Sequence, residues 1–346
     1  MNDARTITIV GGGLAGLTLG IALRRRAVPV TIWEAGHYPR HRVCGEFISG
    51  RGRAQLNGLG LATLLTDAGA REARTTAFFT SKTAGAVRTL PEPALCVSRH
   101  ALDAALARRF RDCGGELREG ERWPGSMNHA GLVQATGRRV QAAANGWRWF
   151  GLKAHAHNVE LAADLEMHLH PDGYVGLCRL DKGLINVCGL FRRHRTAELL
   201  PSRTEMLRGP VGSRLHQRLT NAVFVPDSVC AVGGLDLRPK LNSDSGDCRI
   251  GDAITMIPPF TGNGMSMAIE SAELAAEPLE CWSRGNCSWS ETLQSIVTRC
   301  DETFRHRLAW ANRLHKLMLI GPLQPAIVRR LSRSKWSWNF LFAHTR

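Results

Sequence analysis

The sequence has no pair of cysteines at the two-residue spacing of zinc or iron–sulfur ligands, although ten cysteines are spread along its 346 residues. Zinc and iron–sulfur sites draw on closely spaced Cys and His residues, so we expect no metal site. The first apolar strand begins almost at Met1, and we expect no signal peptide before it. These features predict free thiols in a protein of the reducing cytoplasm.

Long apolar runs and acidic residues are also scarce. No run approaches the roughly 20 apolar residues that span a bilayer. Thirty acidic residues stand against 45 basic ones, which gives a net charge of +15 and favours anionic partners. We find no zinc knuckle and no RNA-recognition strand motif, so we expect no specific nucleic-acid partner. The 44% of hydrophobic residues are enough to bury a sizeable core.

Basic and aromatic residues lie side by side near the C-terminus, from His315 and Lys316 to the segment at 329–342. Such a mixture suits a membrane interface, where aromatic rings sit at headgroup depth. It equally suits a helix that packs on the protein and turns a basic face to water. The first interpretation predicts peripheral contact with the inner face of the membrane.

The richest motif is GGGLAG at residues 11–16, which follows the apolar run at 7–10 and precedes a helix-like stretch at 17–26. A second short strand at 30–33 then ends on Glu34. In this arrangement the first glycine permits a tight turn, the second lets a pyrophosphate approach, and the third lets helix and strand pack closely. The acid suits a ribose with a free 2′-hydroxyl, so the motif predicts FAD or NAD rather than NADP.

The rest of the chain alternates predicted helices and strands. Serine 98 is a good N-cap for the predicted helix at 99–112. The other predicted helices are residues 51–70, 192–219 and about 266–276, with two or three more in the last sixty residues. The predicted strands are residues 75–90, ended by the prolines at 91 and 93, then 116–118, 132–134 and 147–191, with a hairpin of 173–180 and 183–190.

Four motifs in this order resemble the FAD-dependent oxidoreductases of the geranylgeranyl reductase family, within the wider group that contains para-hydroxybenzoate hydroxylase. They are GGGLAG with Glu34, RVCGEF at 42–47, SRHALDAAL at 98–106 and GDAITMIPPFTGNGMSMAIESAELAA at 251–276. The last motif is the most specific, and the glycine fingerprint is the least specific. The resemblance covers most of residues 1–280.

The resemblance implies roles for individual residues and a requirement for FAD with NAD(P)H as electron donor. It places Glu34 at the adenosine ribose, Arg99 near the phosphate or ribityl chain, and Asp252 at a ribityl hydroxyl. It also places a glycine-rich backbone along the isoalloxazine ring. The full set of implied cofactor-binding residues is Gly11, Gly13, Ala15, Gly16, Glu34, Arg42, Arg99, Asp252, Gly262, Asn263 and Gly264.

Two departures bear on the type of reaction. Hydroxylases of this group usually carry an Asp-Gly motif where this chain has Ala-Thr-Gly at 135–137, which weakens the hydroxylase interpretation. Halogenases carry a Trp-x-Trp pair on the strand of their substrate tunnel. This chain has Trp147 and Trp149, but outside the strand at 173–180 that matches the tunnel strand best. We therefore interpret both tryptophans as packing residues.

Cys44 and Tyr174 are the candidate catalytic residues. Cys44 is flanked by Arg40 and Arg42, and nearby cations lower the pKa of a thiol and favour its thiolate. The residue can shape the pocket or donate a proton to a carbanion. A small buried filler is an equal alternative for Cys44. Glu46 can orient the loop or act as a base, but a surface acid is the favoured interpretation. Tyr174 can offer a proton or a hydrogen bond to the substrate, or can be a core tyrosine.

His155 and His157 alternate along one predicted strand face, a spacing that suits a metal pair. Without a third ligand, we interpret them as histidines that face solvent or the pocket edge.

These observations predict an α/β fold with a Rossmann-like FAD-binding domain, an inserted mixed β-sheet substrate domain and a helical C-terminal tail. The FAD-binding domain is expected to comprise residues 1–75, 93–140 and 245–285. The substrate domain is expected to comprise 76–92 and 141–244, and the helical region 286–346.

The resemblance favours a reductase, in which NAD(P)H-reduced flavin delivers hydride to a C=C bond of a small apolar substrate, isoprenoid or lipid-like. A flavin monooxygenase that hydroxylates a phenol or lipid phenol is the first alternative. A flavin-binding sensor without turnover is the second.

Overall fold

The computed structural model describes residues 4–138, 146–194 and 202–344, which form strands and helices in alternation. The strands are β1 (Ile7–Val10), β2 (Val30–Glu34), β3 (Phe47–Ile48), β4 (Arg71–Phe79), β5 (Arg88–Cys96), β6 (Glu116–Glu119), β7 (Leu132–Gln134), β8 (Trp147–His157), β9 (Leu165–His170), β10 (Gly173–Arg179), β11 (Ile185–His194), β12 (Val223–Phe224) and β13 (Cys230–Gly233). The helices are α1 (Leu14–Arg24), α2 (Arg51–Gly58), α3 (Ala62–Asp67), α4 (Arg99–Asp112), α5 (Arg203–Arg208), α6 (Arg214–Arg218), α7 (Gly264–Ser283), α8 (Trp289–Met318), α9 (Gln324–Arg333) and α10 (Lys335–His344).

The smaller sheet has the order β6-β2-β1-β7, and all of its strands run parallel. Parallel strands end at the same edge, so the glycine turn after β1 and the acid at the end of β2 lie together there. Helix α1 follows the turn and packs between α4 and α7. Its residues are buried almost throughout, which fits the run of apolar and small residues at 14–23.

The larger sheet has the order β12-β8-β11-β10-β9-β4-β5-β3, and β13 also pairs with β8. Its pairings are antiparallel except that of β4 with β9, which is parallel. The hairpin expected at 173–190 is confirmed as β10 and β11. The α/β fold with a Rossmann-like sheet, a mixed sheet and a helical C-terminal region is confirmed. The division of the chain into domain segments stays a prediction.

The expectation that prolines 91 and 93 end a strand is wrong, because β5 continues through them to Cys96. The register between β4 and β5 shifts between Ala73 and Thr75, so residues 90–93 lie at an irregular stretch of the ladder. A proline lacks a backbone N–H, and a bulge is one of the few places in a sheet that tolerates this.

Helix boundaries follow the sequence signals closely at some ends and not at others. Ser98 caps α4 by accepting a hydrogen bond from the backbone N–H of His100 at 3.2 Å, as expected. Helix α7 runs past the predicted end at 276 to Ser283. The stretch at 192–219, predicted to be helical, holds the end of β11 and the short helices α5 and α6, while 195–201 lie outside the described residues.

The C-terminal region contains the expected helices, α8 to α10. Ser288 and Glu291 form a capping box at the start of α8. A buried ion pair ties this helix to α7, because the guanidinium of Arg307 donates to both carboxylate oxygens of Glu270 at 2.8 and 3.0 Å. None of the helices in the described part of the chain is long and apolar enough to cross a membrane.

Candidate functional site

The three glycines of the fingerprint meet different surroundings. Gly11 has φ +111°, and a Cβ there would lie 2.3 Å from the carbonyl oxygen of Ala135. A Cβ on Gly16 would lie 2.0 Å from the carbonyl oxygen of Gly11. A Cβ on Gly13 would meet no described atom within 4 Å. Gly11 and Gly16 are therefore required by the turn itself, whereas Gly13 keeps a backbone surface open, as a phosphate ligand needs.

Glu34 is buried at the end of β2 and faces this turn. Its carboxylate accepts hydrogen bonds from the backbone N–H of Gly12 at 3.0 Å and of Gly36 at 2.8 Å. The guanidinium of Arg40 donates to it at 2.7 Å. These bonds hold the carboxylate in one orientation beside the turn, where the sequence predicts a ribose-binding acid.

A cavity of ≈ 920 Å³ begins at the glycine turn and extends to the larger sheet. Of the predicted cofactor-binding residues, most line it: Gly11, Gly13, Ala15, Glu34, Arg42, Arg99, Asp252, Gly262 and Gly264. Gly16 and Asn263 lie behind this lining. Asn263 is buried, and its side-chain oxygen accepts a hydrogen bond from the Ser49 hydroxyl at 3.3 Å.

The segment before α7 forms a second wall of the cavity. Gly262 has φ +68°, and a Cβ there would lie 2.0 Å from the ring of Phe47. Helix α7 begins at Gly264, so its positive dipole end lies at the cavity and favours negative charge there. Burial raises the pKa of the Asp252 carboxyl in this wall, and the cations Arg138 and Arg99 oppose the rise.

Arg42 and Arg99 share one carboxylate. The guanidinium of Arg99 donates to Asp103 at 2.7 and 2.8 Å, and that of Arg42 donates to it at 3.1 Å. Asp103 is completely buried and was not expected as a site residue. It fixes both guanidinium groups at the cavity wall, and Arg42 also lies 3.5 Å from the Glu34 carboxylate. Two cations around the single Asp103 carboxylate leave net positive charge for an anionic ligand.

The interpretation of Glu46 as a surface acid is wrong, since the residue is completely buried. Its backbone has φ +59°, a left-handed conformation that is uncommon outside glycine. One carboxylate oxygen accepts from the backbone N–H of Arg99 at 3.0 Å and lies 3.3 Å from the Lys153 ammonium. The other lies 2.6 Å from Nε2 of His155. Glu46 thus joins the loop at 37–46 to α4 and β8.

Lys153 belongs to the same network and was not expected as a functional residue. It is completely buried in β8, and its ammonium lies 3.0 Å from Nδ1 of His41. Burial alone would raise the pKa of Glu46, but the hydrogen bond from His155 and the charge of Lys153 bring that pKa below its ordinary value. Burial, followed by the charge of Lys153, lowers the pKa of His41 to about 4. The network therefore holds a buried carboxylate beside a buried ammonium.

The two histidines of β8 differ in burial and do not form a metal-binding pair. His155 lies inside the protein against Glu46, and His157 is exposed, so the expectation that both face solvent or the pocket edge is wrong for His155. Among the described residues, no group of three or more His, Cys, Asp and Glu side chains is placed to hold a metal ion. A lysine between Leu152 and Ala154 on an apolar strand was the available signal for this network.

Cys44 lines the cavity, but the expectation of a thiolate is wrong. Burial raises the pKa of its thiol, and Arg99 only opposes that rise. The flanking arginines are directed elsewhere: Arg40 pairs with Glu34, and Arg42 pairs with Asp103. The sulfur accepts a hydrogen bond from the Glu46 backbone N–H at 3.4 Å. A neutral thiol in the cavity wall results.

We expect Cys44 to react with iodoacetamide more slowly than Cys113, a cysteine just after α4 that is half-exposed, as Cys44 is. Alkylation requires the thiolate, which a raised pKa makes rare at neutral pH. Timed alkylation of the native protein, followed by peptide mass spectrometry, measures both rates in one sample. Modification of Cys44 ahead of Cys113 would contradict a neutral thiol.

Tyr174 in β10 is buried and lines the same cavity. Burial raises the pKa of its phenol well above the ordinary value, so the hydroxyl is neutral and a weak acid. Its ring packs edge-on against Phe260 at 5.7 Å between ring centres. These surroundings favour a hydrogen-bonding role over proton donation; either role stays a prediction.

The inner part of the cavity is apolar. Side chains from the larger sheet and from α10 line it: Phe78, Leu90, Leu165, Met167, Leu177, Leu190, Trp338, Leu341 and Phe342. No catalytic or cavity-lining residues were expected in the last sixty positions, yet α10 supplies three of these side chains. Their spacing follows one face of a helix, which was the available signal.

The two tryptophans of the Trp-x-Trp pair differ in surroundings. Trp149 packs against a core cluster, with its ring centre 5.1 Å from that of His315. Trp147 is 42% exposed, so the expectation of a packing role is confirmed for Trp149 only. Neither is among the residues that line the cavity.

Comparisons with known proteins agree with this geometry. Residues 9–44 match a family model described as an NAD(P)-binding Rossmann-like domain. The menaquinone reductase of Mycobacterium tuberculosis is 24% identical over 330 residues, which cover 81% of this chain and 78% of the relative.

Solved structures are similar over nearly the whole chain. The flavin-dependent brominase Bmp2 has a TM-score of 0.74 at 17% identity and covers 98% of this chain and 92% of its own. PqsL of Pseudomonas aeruginosa, in complex with 2-aminobenzoylacetate, has a TM-score of 0.68 at 17% identity, and the match covers 94% of this chain and 99% of PqsL. The halogenase PltM has a TM-score of 0.72 at 14% identity, and the match covers 99% of this chain and 86% of PltM. The chain therefore has the fold of FAD-dependent oxidoreductases and monooxygenases.

Proposed function

We propose that this chain is an FAD-dependent oxidoreductase that reduces a C=C bond of an apolar substrate, isoprenoid or lipid-like. The observation that carries the proposal is the single cavity that connects the glycine turn with an apolar chamber. Polar groups lie at one end of the cavity and hydrocarbon at the other. A dinucleotide and an apolar substrate can therefore meet within it.

The residues present fit FAD. Gly13 offers open backbone where a pyrophosphate would lie, and Glu34 offers an oriented carboxylate to the adenosine ribose. Asp252 is a carboxylate in the cavity wall whose raised pKa reflects burial, and a ribityl hydroxyl would give it a hydrogen-bond partner. When bound there, FAD would supply the redox chemistry, with NAD(P)H as the electron source.

The chain's own residues would bind, orient and shield the reactants. The amino end of α7 would stabilise negative charge at the cofactor, and the apolar side chains of β10, β11 and α10 would exclude water from the substrate. Tyr174 would orient the substrate through its neutral hydroxyl. In the overall reaction, NAD(P)H and one proton convert the C=C bond to a C–C bond and leave NAD(P)⁺.

The menaquinone reductase relative supports the reductase proposal, since it extends along most of this chain. PqsL and the brominase support a second candidate, a monooxygenase acting on a phenol or lipid phenol. The Ala-Thr-Gly turn at 135–137 favours the reductase over the hydroxylase.

Oxygen dependence distinguishes these two functions. Holoprotein reconstituted with FAD is supplied with NADH or NADPH and with either a prenylated substrate or a phenol, with and without oxygen. We expect the prenylated product to gain two hydrogen atoms at the same rate under nitrogen. A product that gains an oxygen atom and forms only with matching oxygen consumption would instead establish the monooxygenase. Protein that retains no flavin after desalting would contradict both.

A further inference from the structure

The last 44 residues of the chain have one sign of charge. Residues 303–346 contain no aspartate or glutamate and nine lysines and arginines: Arg305, Arg307, Arg313, Lys316, Arg329, Arg330, Arg333, Lys335 and Arg346. Arg307 is paired with Glu270 inside the protein. Arg329, Arg333 and Lys335, by contrast, are exposed on α9 and at the start of α10.

Large apolar side chains are exposed in the same region. Of the nine most exposed large apolar residues in the described part of the chain, four lie between positions 317 and 336. Leu317 at the end of α8 is 41% exposed, and Ile320 and Leu323 in the following turn are 46% and 42% exposed. Trp336 in α10 is 67% exposed. Such clustering marks an interaction surface more often than isolated exposed residues do.

Helix α10 carries apolar residues on opposite sides. Trp338, Leu341 and Phe342 line the cavity. Trp336 points away from the protein and stacks on Phe340 with 5.2 Å between ring centres. A helix that is apolar on both sides is typical of positions covered on both sides. The cavity-lining side of α10 is covered by protein, so its outer side calls for a partner.

Charge and side-chain type together identify this partner. Exposed Trp and Leu side chains beside Arg and Lys are typical of helices that lie in the headgroup region of an anionic bilayer. A nucleic acid would use the cations but not the exposed aliphatic side chains. An acidic protein would use both, but it would leave binding to pure lipid vesicles unexplained.

We propose that the end of α8, the turn at 319–323, α9 and the outer side of α10 form a docking surface for an anionic lipid bilayer. We name it the C-terminal face. Helix α10 would then separate the bilayer from the apolar chamber by the width of one helix. On this basis, and resting on the proposed function, a lipid-like substrate enters the chamber past α10.

Sedimentation with lipid vesicles tests the docking without substrate or turnover. The full-length holoprotein is mixed with vesicles of phosphatidylcholine alone or of phosphatidylcholine with phosphatidylglycerol. We expect it to sediment with the anionic vesicles and not with the neutral ones, and to be released by salt because the attraction between exposed charges is screened. Absence of binding to anionic vesicles would overturn the proposal and favour an acidic protein partner.

Two pairs of variants with equal charge change locate the surface. In the first, Arg329→Glu and Arg333→Glu reverse two exposed cations of the C-terminal face. In the matched control, Arg25→Glu and Arg108→Glu reverse two exposed cations beside α1 and in α4. We expect the first pair to weaken vesicle binding by about tenfold or more, and the control pair to change it much less. Equal losses of vesicle binding in the two pairs would show that net charge alone attracts the protein, and would overturn the assignment of the docking surface to the C-terminal face.

The single variant Trp336→Ser tests the apolar part of the surface. Loss of the indole ring should lower binding to anionic vesicles. Flavin content should stay unchanged, because Trp336 is exposed and outside the cavity lining. Unchanged binding would limit the surface to its cations and contradict an inserted helix. Vesicle binding by a protein that turns over no substrate would leave docking standing and reject only the proposed function.

Discussion

Replacing Glu46 with alanine is expected to destabilise the protein by roughly 3–5 kcal/mol, the usual cost of leaving one charge of a buried pair without its partner. Lys153 is completely buried, and its ammonium lies 3.3 Å from the Glu46 carboxylate. Without that carboxylate, the buried ammonium would lose its ion-pair partner. Urea unfolding followed by circular dichroism measures the loss of free energy.

The companion variant Lys153→Met separates charge from shape. In the Glu46→Ala background, it removes the uncompensated ammonium and keeps most of the side-chain volume, so the double variant should be more stable than Glu46→Ala alone. A Glu46→Ala protein within about 1 kcal/mol of the original would show that the pair contributes no more than an exposed ion pair.

The contacts of Glu46 with His155 and Lys153 make stability depend on pH. The pKa of Glu46 is lower in the folded protein than its ordinary value of 4.5. Its contribution to stability is therefore fully present above that ordinary value and is lost as the pH falls through the folded pKa. The Glu46→Ala variant should lack this part of the acid sensitivity, which a comparison of unfolding at neutral and acidic pH measures.

Gly13→Ala is expected to remove flavin while leaving the apoprotein folded. The new methyl group would meet no described atom within 4 Å, and the residue has an ordinary negative φ of −82°. A bound pyrophosphate would occupy that space. Inserting a methyl group into a filled site typically costs about 1–3 kcal/mol, so we expect affinity for FAD to fall by roughly 5- to 150-fold.

Two further glycines provide controls for this prediction. Gly11→Ala should unfold or strongly destabilise the apoprotein, because its Cβ would lie 2.3 Å from a backbone oxygen at φ +111°. In Gly58→Ala, in α2, the new methyl group would meet no described atom within 4 Å, so we expect neither flavin retention nor the stability of the apoprotein to change. Flavin absorbance after desalting and thermal melting of the apoprotein report the two effects separately. Full flavin retention by Gly13→Ala would contradict the placement of the pyrophosphate.

Local signals were enough to predict the parts of the site that form within one stretch of chain. The turn at 11–16, Glu34 at the end of β2 and the Ser98 cap each depend on neighbours within a few tens of residues, so their patterns survive in the sequence. The same holds for the β10–β11 hairpin. Spacing and turn chemistry specify these elements directly.

The buried network could not be read in this way. Glu46 meets His155 across 109 positions, and the contact depends on how β8 is placed against the loop at 37–46. A glutamate between glycine and phenylalanine in a polar loop carries no mark of burial. The expectation of a Cys44 thiolate was wrong for a related reason: burial raises the pKa of its thiol, and the arginines adjacent in sequence point to other carboxylates in space. Tertiary placement, rather than local composition, sets the charge of both residues.

The first helix has a consequence for synthesis of the protein on the ribosome. Leu17, Leu19 and Ile21 in α1 are completely buried, and α1 packs against α7, which begins at Gly264. The backbone N–H of Arg5 likewise donates to the carbonyl oxygen of Ser283 at 2.7 Å. At the usual 5–20 residues per second, α1 therefore waits roughly 10–50 seconds for its partner. During that interval the side of α1 that faces α7 has no covering helix, although α4 has already been synthesised, and we expect this apolar side to attract chaperones.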